Sequence, residues 1–468
     1  MLQRRLRLLQ AVSLNMSMMV GVGPFITIPA IIATMGGPQA MLGWILGALV
    51  ALADGFVWCE LASAFPGSGG TYHFFDAAYG DSRTGRALKF LFVWQFLFSG
   101  PLEIATGAIG LSQYAAFFFP VLKETAWNWG AIVPGLDSPV PWFNLLGVGV
   151  MGLVTLLAYR RIEMAGRLMV VLWIGMLCTV GWVIATGIAN FDAGLAFTFP
   201  EHAFDLSAAN ATGLGAALAI AMYDFLGYYQ ISYLGDEVEN PSRTIPRAIL
   251  ISVLAVAAIY LTMNLSILGV LPWQEAMKST HVASDMMQRV VGPRAAGFLT
   301  LMIIWTALAS TFSALLGYSR VPYASAKAGH FPRFFAATHP KGDFPHRSLM
   351  LIGGLGMLAC LADLATVIMA LLTSRILIQF VGQILTVFWI RRRPEVVARL
   401  RFRMPLYPLP AVAALLGWLF VFGTSEWHII AYGLGSLALG IVVFVAWDAL
   451  RAVPGGPTPP IEDSNEAT

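Results

Sequence analysis

Long, nearly uncharged apolar segments recur along the whole chain, and they restrict its folding more than any other feature of the sequence. About twelve of them approach or exceed the roughly 20 residues that a membrane-spanning helix needs. We place them near 11–34, 39–64, 88–119, 142–159, 165–189, 212–234, 246–271, 294–325, 347–363, 365–390, 405–424 and 427–449. The sequence therefore predicts an all-α integral membrane protein with about 12 transmembrane helices.

The composition argues against the main soluble classes of protein. Only 11% of the 468 residues are charged and 58% are hydrophobic, whereas a soluble domain carries about 25% charged residues. The net charge of +3 is small and scattered, so no nucleic-acid partner is indicated. A β-barrel is disfavoured because its strands alternate polar and apolar residues. The cysteines and histidines are dispersed and match no motif, so neither a metal site nor a cofactor is predicted.

The distribution of Lys and Arg predicts the orientation of the helices. Cytoplasmic loops carry an excess of these residues, and almost all 28 of them fall on the cytoplasmic side if the N-terminus is placed there. The exceptions are Lys123, Lys278, Arg289 and Arg294 on the other side, and Arg375 within a span. Both termini are therefore expected in the cytoplasm, with the protein in the cell membrane. Residues 452–468 are expected to form a disordered cytoplasmic tail.

Two spans contain residues that oppose a continuous helix. The first carries Gly21-Val22-Gly23-Pro24-Phe25, and the sixth carries Tyr223-Asp224-Phe225-Leu226-Gly227-Tyr228, with a carboxylate at mid-membrane depth. Gly and Pro are the poorest helix formers, and a packing kink explains either cluster alone. Both clusters, however, fall in the first helix of a possible five-span unit. Interrupted helices at matching positions of two halves are typical of inverted-repeat transporters.

The pairing of the two breaks predicts how the chain is divided. We expect a first five-helix repeat in 1–190 and a second, inverted repeat in 205–394. Five spans is an odd number, so the two units must have opposite topology. Helices 11 and 12, in 400–451, then fall outside the repeats.

Several motifs carry a family resemblance. Besides the first break, they are Glu60-Leu61-Ala62, Phe65-Pro66-Gly67-Ser68-Gly69-Gly70-Thr71-Tyr72, Gly235-Asp236-Glu237-Val238-Glu239-Asn240-Pro241, Ile245-Pro246-Arg247, Ser319-Arg320-Val321 and Ala326-Lys327-Ala328-Gly329-His330-Phe331-Pro332. Together they resemble the amino acid–polyamine–organocation (APC) superfamily, whose members have the LeuT-type fold. The resemblance covers nearly all of spans 1–10 and is similar for bacterial amino-acid permeases and polyamine uptake permeases. It implies a 5+5 inverted repeat and a transporter rather than an enzyme.

The resemblance also implies a substrate site between the two breaks. Backbone N–H groups at the first break would hold a carboxylate, as helix N-termini do, and carbonyl groups at the sixth-span break would hold an ammonium group. Tyr223 or Phe225 would cover the substrate as a thin gate. The expected substrate-binding residues are Gly21, Val22, Gly23, Glu103, Tyr223, Asp224, Phe225, Leu226 and Gly227.

Four charged residues lie within spans: Asp54, Glu103, Asp224 and Arg375. Charges at that depth cost about 3 kcal/mol or more, and they mark function or pair with one another. Acids near the site would suit a cationic substrate, such as a polyamine or a basic amino acid. Alternatively, Glu103 pairs with Arg375 and leaves a neutral pocket.

The inner gate and the coupling ion are assigned from other polar residues. Glu60 and Glu237, near cytoplasmic ends of spans, are expected to clamp the inner gate. A sodium site would use the hydroxyl groups of Ser310, Thr311 and Ser313, although such hydroxyls more often bond the preceding helical turn.

Proton-driven members of the resembled family often carry a Lys in span 5, where this chain has Gly175 and Met176. A proton would instead be carried by Asp54, Glu103 or Asp224, because burial raises the pKa of a carboxylate in general. Proton-coupled uptake is therefore favoured, with exchange next.

The sequence thus predicts a secondary active transporter that moves an amino acid or related amine across the cytoplasmic membrane by alternating access. Its expected partners are the small-molecule substrate, the lipid bilayer and a coupling proton. The alternatives are a polyamine permease of the same fold, an amino-acid exchanger and, more distantly, a channel or a membrane-embedded enzyme or sensor.

Overall fold

The computed structural model describes residues 4–129, 139–160, 162–398 and 400–451, which are almost entirely helical. In these ranges the α-helices are α1 Leu8–Met19, α2 Gly23–Met35, α3 Met41–Ala64, α4 Thr71–Tyr79, α5 Arg83–Ala115, α6 Trp142–Ala158, α7 Ile162–Ala189, α8 Ala193–Ala196, α9 Ala208–Phe225, α10 Pro241–Leu268, α11 Trp273–Ala276, α12 Val282–Val290, α13 Pro293–Tyr318, α14 Arg320–Lys327, α15 His346–Ala359, α16 Leu364–Arg375, α17 Gly382–Ile390, α18 Pro394–Val397, α19 Leu409–Thr424 and α20 Trp427–Arg451. Strands β1 (Thr125–Asn128) and β2 (Pro139–Pro141) form an antiparallel pair. The predicted tail, 452–468, lies outside the described residues.

Every predicted span coincides with helix. Within the described chain, 7 helices are long and apolar enough to cross a membrane, and the bent pair α1–α2 makes 8 if it counts as one span. Helices α6 and α19 are apolar but shorter. The all-α membrane fold is therefore confirmed, while the number of crossings stays a prediction.

The predicted break in the first span is present in the structure. Helix α1 ends at Met19, α2 begins at Gly23, and the two helices are inclined by 42°. Pro24 lies in the first turn of α2, where a missing N–H group removes no helical hydrogen bond. The sequence Gly-Val-Gly-Pro thus ends one helix and starts the next.

The sixth span differs in detail from the expectation. Helix α9 continues through Phe225, so Tyr223 and Asp224 lie in its last turn rather than in an unwound segment. The chain leaves the helix at Leu226, and Gly227 has a φ of +110°, which favours glycine. A short 3₁₀ helix, Gln230–Tyr233, follows instead of a second regular half-helix.

The two breaks lie against each other. Helix α2 packs on α9, and the Asn15 side-chain oxygen accepts a hydrogen bond from the backbone N–H of Ile231 at 2.8 Å. Gly227 packs so closely on Met18 that an added Cβ would lie 2.8 Å from the Met18 Cβ. The breaks therefore form one structural unit in the middle of the bundle.

Helices at matching positions of the two predicted repeats pack on each other. The contacting pairs are α3 with α10, α5 with α13, and α6 with α15, besides α2 with α9. Two inverted copies related by a pseudo-two-fold axis would place counterparts side by side in this way. The division into two repeats stays a prediction.

We expect the substitution Gly227→Ala to destabilise the protein. The new methyl group would be held at positive φ and would clash with Met18, so the free energy of unfolding should fall by about 1–3 kcal/mol. The melting temperature of the purified protein in detergent measures this. The control is Gly181→Ala in α7, where nothing lies within 4 Å of the added atom. Equal melting temperatures for the two variants would contradict the strained conformation.

Candidate functional site

A cavity lies where the two breaks meet. The space between atoms there amounts to about 400 Å³. The cavity is narrow, because the centre of a water molecule fits into only about 30 Å³ of that space. The lining residues are Met18, Met19, Gly21, Val22, Gly23, Glu103, Thr106, Gly107, Tyr223, Asp224, Leu226, Ser310, Thr311 and Ala314. Of the expected binding residues, Phe225 and Gly227 lie outside this lining.

The first break contributes backbone donors to the cavity. The N–H groups of Val22 and Gly23 have no acceptor among the described residues, whereas the N–H of Gly21 donates to the Met19 carbonyl at 3.0 Å. Two of the three expected donors are therefore free. They stand at the N-terminus of α2, where the helix dipole favours a negative charge.

Gly21 contributes through its small size instead. A Cβ added there would lie 2.5 Å from the Ser310 Oγ atom, and one added at Gly23 would collide with the Asp224 carboxylate. Glycine at both positions therefore lets the backbone of the first span approach α9 and α13.

Two of the three carbonyl groups expected to hold the ammonium group, those of Tyr223 and Asp224, are already occupied. The Tyr260 hydroxyl lies 3.0 Å from the Asp224 carbonyl and 2.6 Å from the Met19 carbonyl, and both accept from it. The Tyr223 carbonyl accepts from the Leu226 N–H at 3.1 Å. The Leu226 carbonyl, which lines the cavity, has no donor among the described residues.

The Asp224 carboxylate is the main acceptor for a positive group. It is 2% exposed, and the Thr27 hydroxyl donates to its Oδ2 atom. Its Oδ1 atom has no hydrogen-bond partner and adjoins Gly23. No cation of the described chain forms an ion pair with it. The cavity thus has free backbone N–H donors and, beside Gly23, a carboxylate without a counter-cation among the described residues.

Sequence reasoning missed Thr27. It lies one helical turn after Gly23, so the spacing of four residues places both on the same face of α2. That spacing is the signal by which the sequence indicates Thr27.

Glu103 and Arg375 form a buried ion pair, which confirms the alternative of a compensated charge. Arg375 Nη1 contacts Glu103 Oε2, and the side chains are 0% and 4% exposed. The Tyr318 hydroxyl donates to the same carboxylate oxygen at 2.5 Å. Arg375 Nε donates to the Ser99 hydroxyl at 3.0 Å. Glu103 therefore lines the cavity without contributing an uncompensated charge.

Tyr223 closes one side of the cavity. Its hydroxyl donates to Thr106 Oγ1 at 2.8 Å and so connects α9 to α5. Phe225, the other predicted gate residue, is buried against Trp44 and Tyr260, with ring centroids 6.2 and 5.2 Å apart. Its side chain therefore stabilises the core beside the cavity.

The predicted gating acids lie away from the cavity. Glu60 forms a bidentate pair with Arg391 at 2.5 and 2.6 Å. Glu237 forms one with Arg320 at 2.9 and 3.1 Å, and both of these side chains are almost completely buried. Each pair connects helices that are distant in the sequence.

Asp54 also lies outside the cavity lining. The Trp58 indole donates to it at 3.1 Å, and the Tyr228 hydroxyl donates to it as well. It is completely buried.

The candidate sodium ligands bond within their own helix or to α1. Ser310 and Thr311 donate to the Ala307 carbonyl at 3.1 and 2.9 Å. Ser313 donates to the Leu14 carbonyl at 2.7 Å. Ser310 and Thr311 thus bond the preceding turn of their own helix, as helical hydroxyls commonly do, whereas Ser313 bonds α1; their assignment stays a prediction.

The two ends of the bundle are closed to different degrees. At the end that contains Glu237, which we call the terminal face, residues 5–7 run beside Val238, and the Arg5 and Leu6 N–H groups both donate to the Glu237 carbonyl at 2.9 Å. This pairing and the Glu237–Arg320 pair close that end.

The other end, which we call the opposite face, has a wide vestibule of about 830 Å³ of atom-free space. Ile26, Lys123 and His281 are among its lining residues. Burial lowers the pKa of His281. The side chains of Val22 and Ile26 pack against Gly110, between the vestibule and the cavity. The barrier on this side is therefore thin.

Comparison with known proteins gives a consistent result. The model of the amino acid permease family matches residues 6–446. The chain is 25% identical over 432 residues to the serine/threonine exchanger SteT of Bacillus subtilis (strain 168), covering 91% of each protein. It is 24% identical over 449 residues to the branched-chain amino acid permease BcaP of the same organism, covering 95% of this chain and 92% of the relative. It is also 23% identical over 427 residues to the methylthioribose transporter of that organism, covering 88% and 87%.

We expect the substitution Glu237→Gln to destabilise the closed terminal face. It leaves the Arg320 guanidinium buried without a counter-charge, and breaking a buried pair costs about 3–5 kcal/mol. The melting temperature in detergent should fall by several degrees. The control is Glu275→Gln, which breaks the exposed Arg289–Glu275 pair and should change little. Similar melting temperatures for both variants would show that the Glu237–Arg320 pair does not stabilise this face.

Proposed function

This chain belongs to the amino acid permease family, and on that basis we propose that it carries a small zwitterionic amino acid across the cell membrane by alternating access. As a member of the APC superfamily it is a multi-pass membrane transporter and not an enzyme. The single observation that carries the proposal is the cavity between the two breaks. Free backbone donors and a carboxylate without a counter-cation among the described residues line it together.

The chemistry of the cavity complements the head group of an amino acid. The Val22 and Gly23 N–H groups, at the positive end of α2, would hold the carboxylate. The Asp224 carboxylate and the Leu226 carbonyl would hold the ammonium group. A polyamine has no group for the N–H donors, so the arrangement favours an amino acid.

The narrow cavity favours a small side chain. Gly21 and Gly107 both lie against hydroxyl groups of α13, and a Cβ at either position would fill the remaining space. The names of the relatives include small and branched amino acids as well as methylthioribose. Membership of the family therefore does not identify the substrate. The small dimensions of this cavity support the choice of a small amino acid.

The unequal ends of the bundle support the proposal of alternating access. In this conformation the terminal face, which we assign to the cytoplasm, is closed by the Glu237–Arg320 pair, while Val22 of the cavity lining and Ile26 of the vestibule lining pack together against Gly110. Release to the cytoplasm would require the buried pair to separate. In the inward-open state the two five-helix repeats, 1–190 and 205–394, would be rearranged so that the terminal face opens and the opposite face closes.

We assign proton coupling to Asp224. Glu103 already balances Arg375, and Asp54 lies outside the cavity lining. Asp224 would bind a proton on one carboxyl oxygen while the other oxygen accepts from the ammonium group of the substrate, so that proton and substrate cross together. Exchange of amino acids is the second candidate, favoured by the similarity to SteT.

We expect the substitution Asp224→Asn to weaken substrate binding by about 10- to 100-fold, because a hydrogen bond to a charged acceptor contributes about 1.5–3 kcal/mol. Binding of serine to the purified protein, followed by calorimetry, measures this. Surface expression should survive, and the control Asp205→Asn changes only an exposed loop residue. Unchanged serine affinity in Asp224→Asn would remove Asp224 from the site.

The coupling ion can be tested with the protein in liposomes. An inward proton gradient should increase the initial rate of labelled serine uptake, because protonation of Asp224 from the vestibule is part of the cycle. A sodium gradient at constant pH should have no effect. Uptake that requires sodium and ignores pH would overturn proton coupling, and uptake that requires serine inside the liposome would identify an exchanger.

A further inference from the structure

Glu103 lines the cavity that we propose to hold the amino acid, and its partner Arg375 lies outside that lining. Resting on the proposed function, we infer that Glu103 selects substrates whose side chain carries a neutral hydrogen-bond donor, a hydroxyl or an amide, and that Arg375 positions Glu103 and cancels its charge. The site would then reject both cationic and anionic side chains.

The two oxygens of Glu103 have different surroundings. Oε2 accepts from Arg375 and from the Tyr318 hydroxyl. Oε1 has no hydrogen-bond partner among the described residues. This atom is not completely buried, and Glu103 lines the cavity. One carboxylate oxygen is therefore fixed behind the wall, and the other is available to a solute.

The surroundings of Arg375 fix its guanidinium. Besides Glu103, it donates to the hydroxyls of Ser99, Tyr229 and Tyr318 at 3.0, 3.4 and 3.1 Å. The guanidinium also lies over the Phe96 and Tyr318 rings. Arginine keeps its charge in proteins, so this set of contacts holds a permanent positive charge directly behind Glu103.

The backbone next to Arg375 supports a functional role. The π-helical segment Ile376–Val381 begins immediately after it, between α16 and α17. Such segments are rare and often occur at functional sites, because the extra residue turns the side chains that precede it. A continuous α-helix would direct Arg375 differently relative to α5.

The charges in the cavity determine which side chain fits. Asp224 serves the ammonium group in the proposed function, and the Glu103–Arg375 pair is neutral as a unit. A cationic side chain would add a charge that the neutral pair does not balance, and an anionic one would in addition meet the Glu103 carboxylate. A hydroxyl or amide group donates to Glu103 Oε1 without adding a charge, and Thr106 and Thr311 add hydroxyls nearby.

The test compares size-matched ligands on the purified protein by calorimetry. Asparagine should bind at least about tenfold more tightly than aspartate and 2,4-diaminobutyrate, and serine at least about tenfold more tightly than alanine. In Arg375→Gln, Glu103 has no counter-charge, so the affinity for 2,4-diaminobutyrate should rise about tenfold relative to the affinity for asparagine. In Glu103→Gln, Arg375 has no counter-charge, so the relative affinity for aspartate should rise by a similar factor.

A double variant keeps the test decisive if the single variants do not fold. Replacing a buried ion pair by apolar residues is often neutral for stability, so Glu103→Met with Arg375→Met should remain folded. Its serine-to-alanine affinity ratio should fall about tenfold, because the acceptor is missing. The control replaces Glu60 and Arg391 by Met, a pair outside the cavity lining, and should keep the wild-type ratio.

Two failures remain distinguishable. Wild-type protein that binds neither serine nor alanine would overturn the proposed function itself. Wild-type protein that binds them, together with unchanged ratios in the Glu103 and Arg375 variants, would overturn only this inference and leave the pair as a structural one.

Discussion

A backbone N–H or C=O group cannot remain unpaired against lipid, and the centre of this protein is organised around that constraint. The first and sixth spans both interrupt their helices at mid-membrane, which exposes such groups. Side chains from neighbouring helices satisfy some of them: Tyr260 donates to the Met19 and Asp224 carbonyls, and Asn15 accepts from Ile231. Among the described residues, the N–H groups of Val22 and Gly23 and the Leu226 carbonyl are left at the cavity, and a solute is the natural partner for them.

Charged side chains within the spans also need a partner, and the structure provides partners in two ways. Glu103 and Arg375 neutralise each other inside a shell of hydroxyls and aromatic rings. Asp54 and Asp224 instead accept hydrogen bonds from neutral donors, Tyr228 and Trp58 for one and Thr27 for the other. Of these acids only Glu103 and Asp224 reach the cavity, and we give them separate tasks, one for the side chain and one for the ammonium group.

Much of this was predictable from the sequence because it depends on local patterns. Apolar runs located the spans, glycines and a proline located the first break, and the cost of a lone charge led to the Glu103–Arg375 pair as one of two alternatives. Features that depend on three-dimensional approach were not predictable. The end of α9 at Phe225 depends on the packing of Gly227 against Met18. The roles of Tyr260 and Asn15 depend on which helices surround the breaks, and the spacing of residues along the sequence does not indicate those neighbours.

One hydroxyl group joins the two interrupted spans. The oxygen of Tyr260 lies within hydrogen-bonding distance of a carbonyl from α1 and of a carbonyl from α9, although it carries a single proton to share between them. If either interruption moves away from α10, one of these contacts is lost and the other gains the proton fully. The two interruptions are therefore energetically linked through a third helix, and neither can shift without changing the bonding of its counterpart.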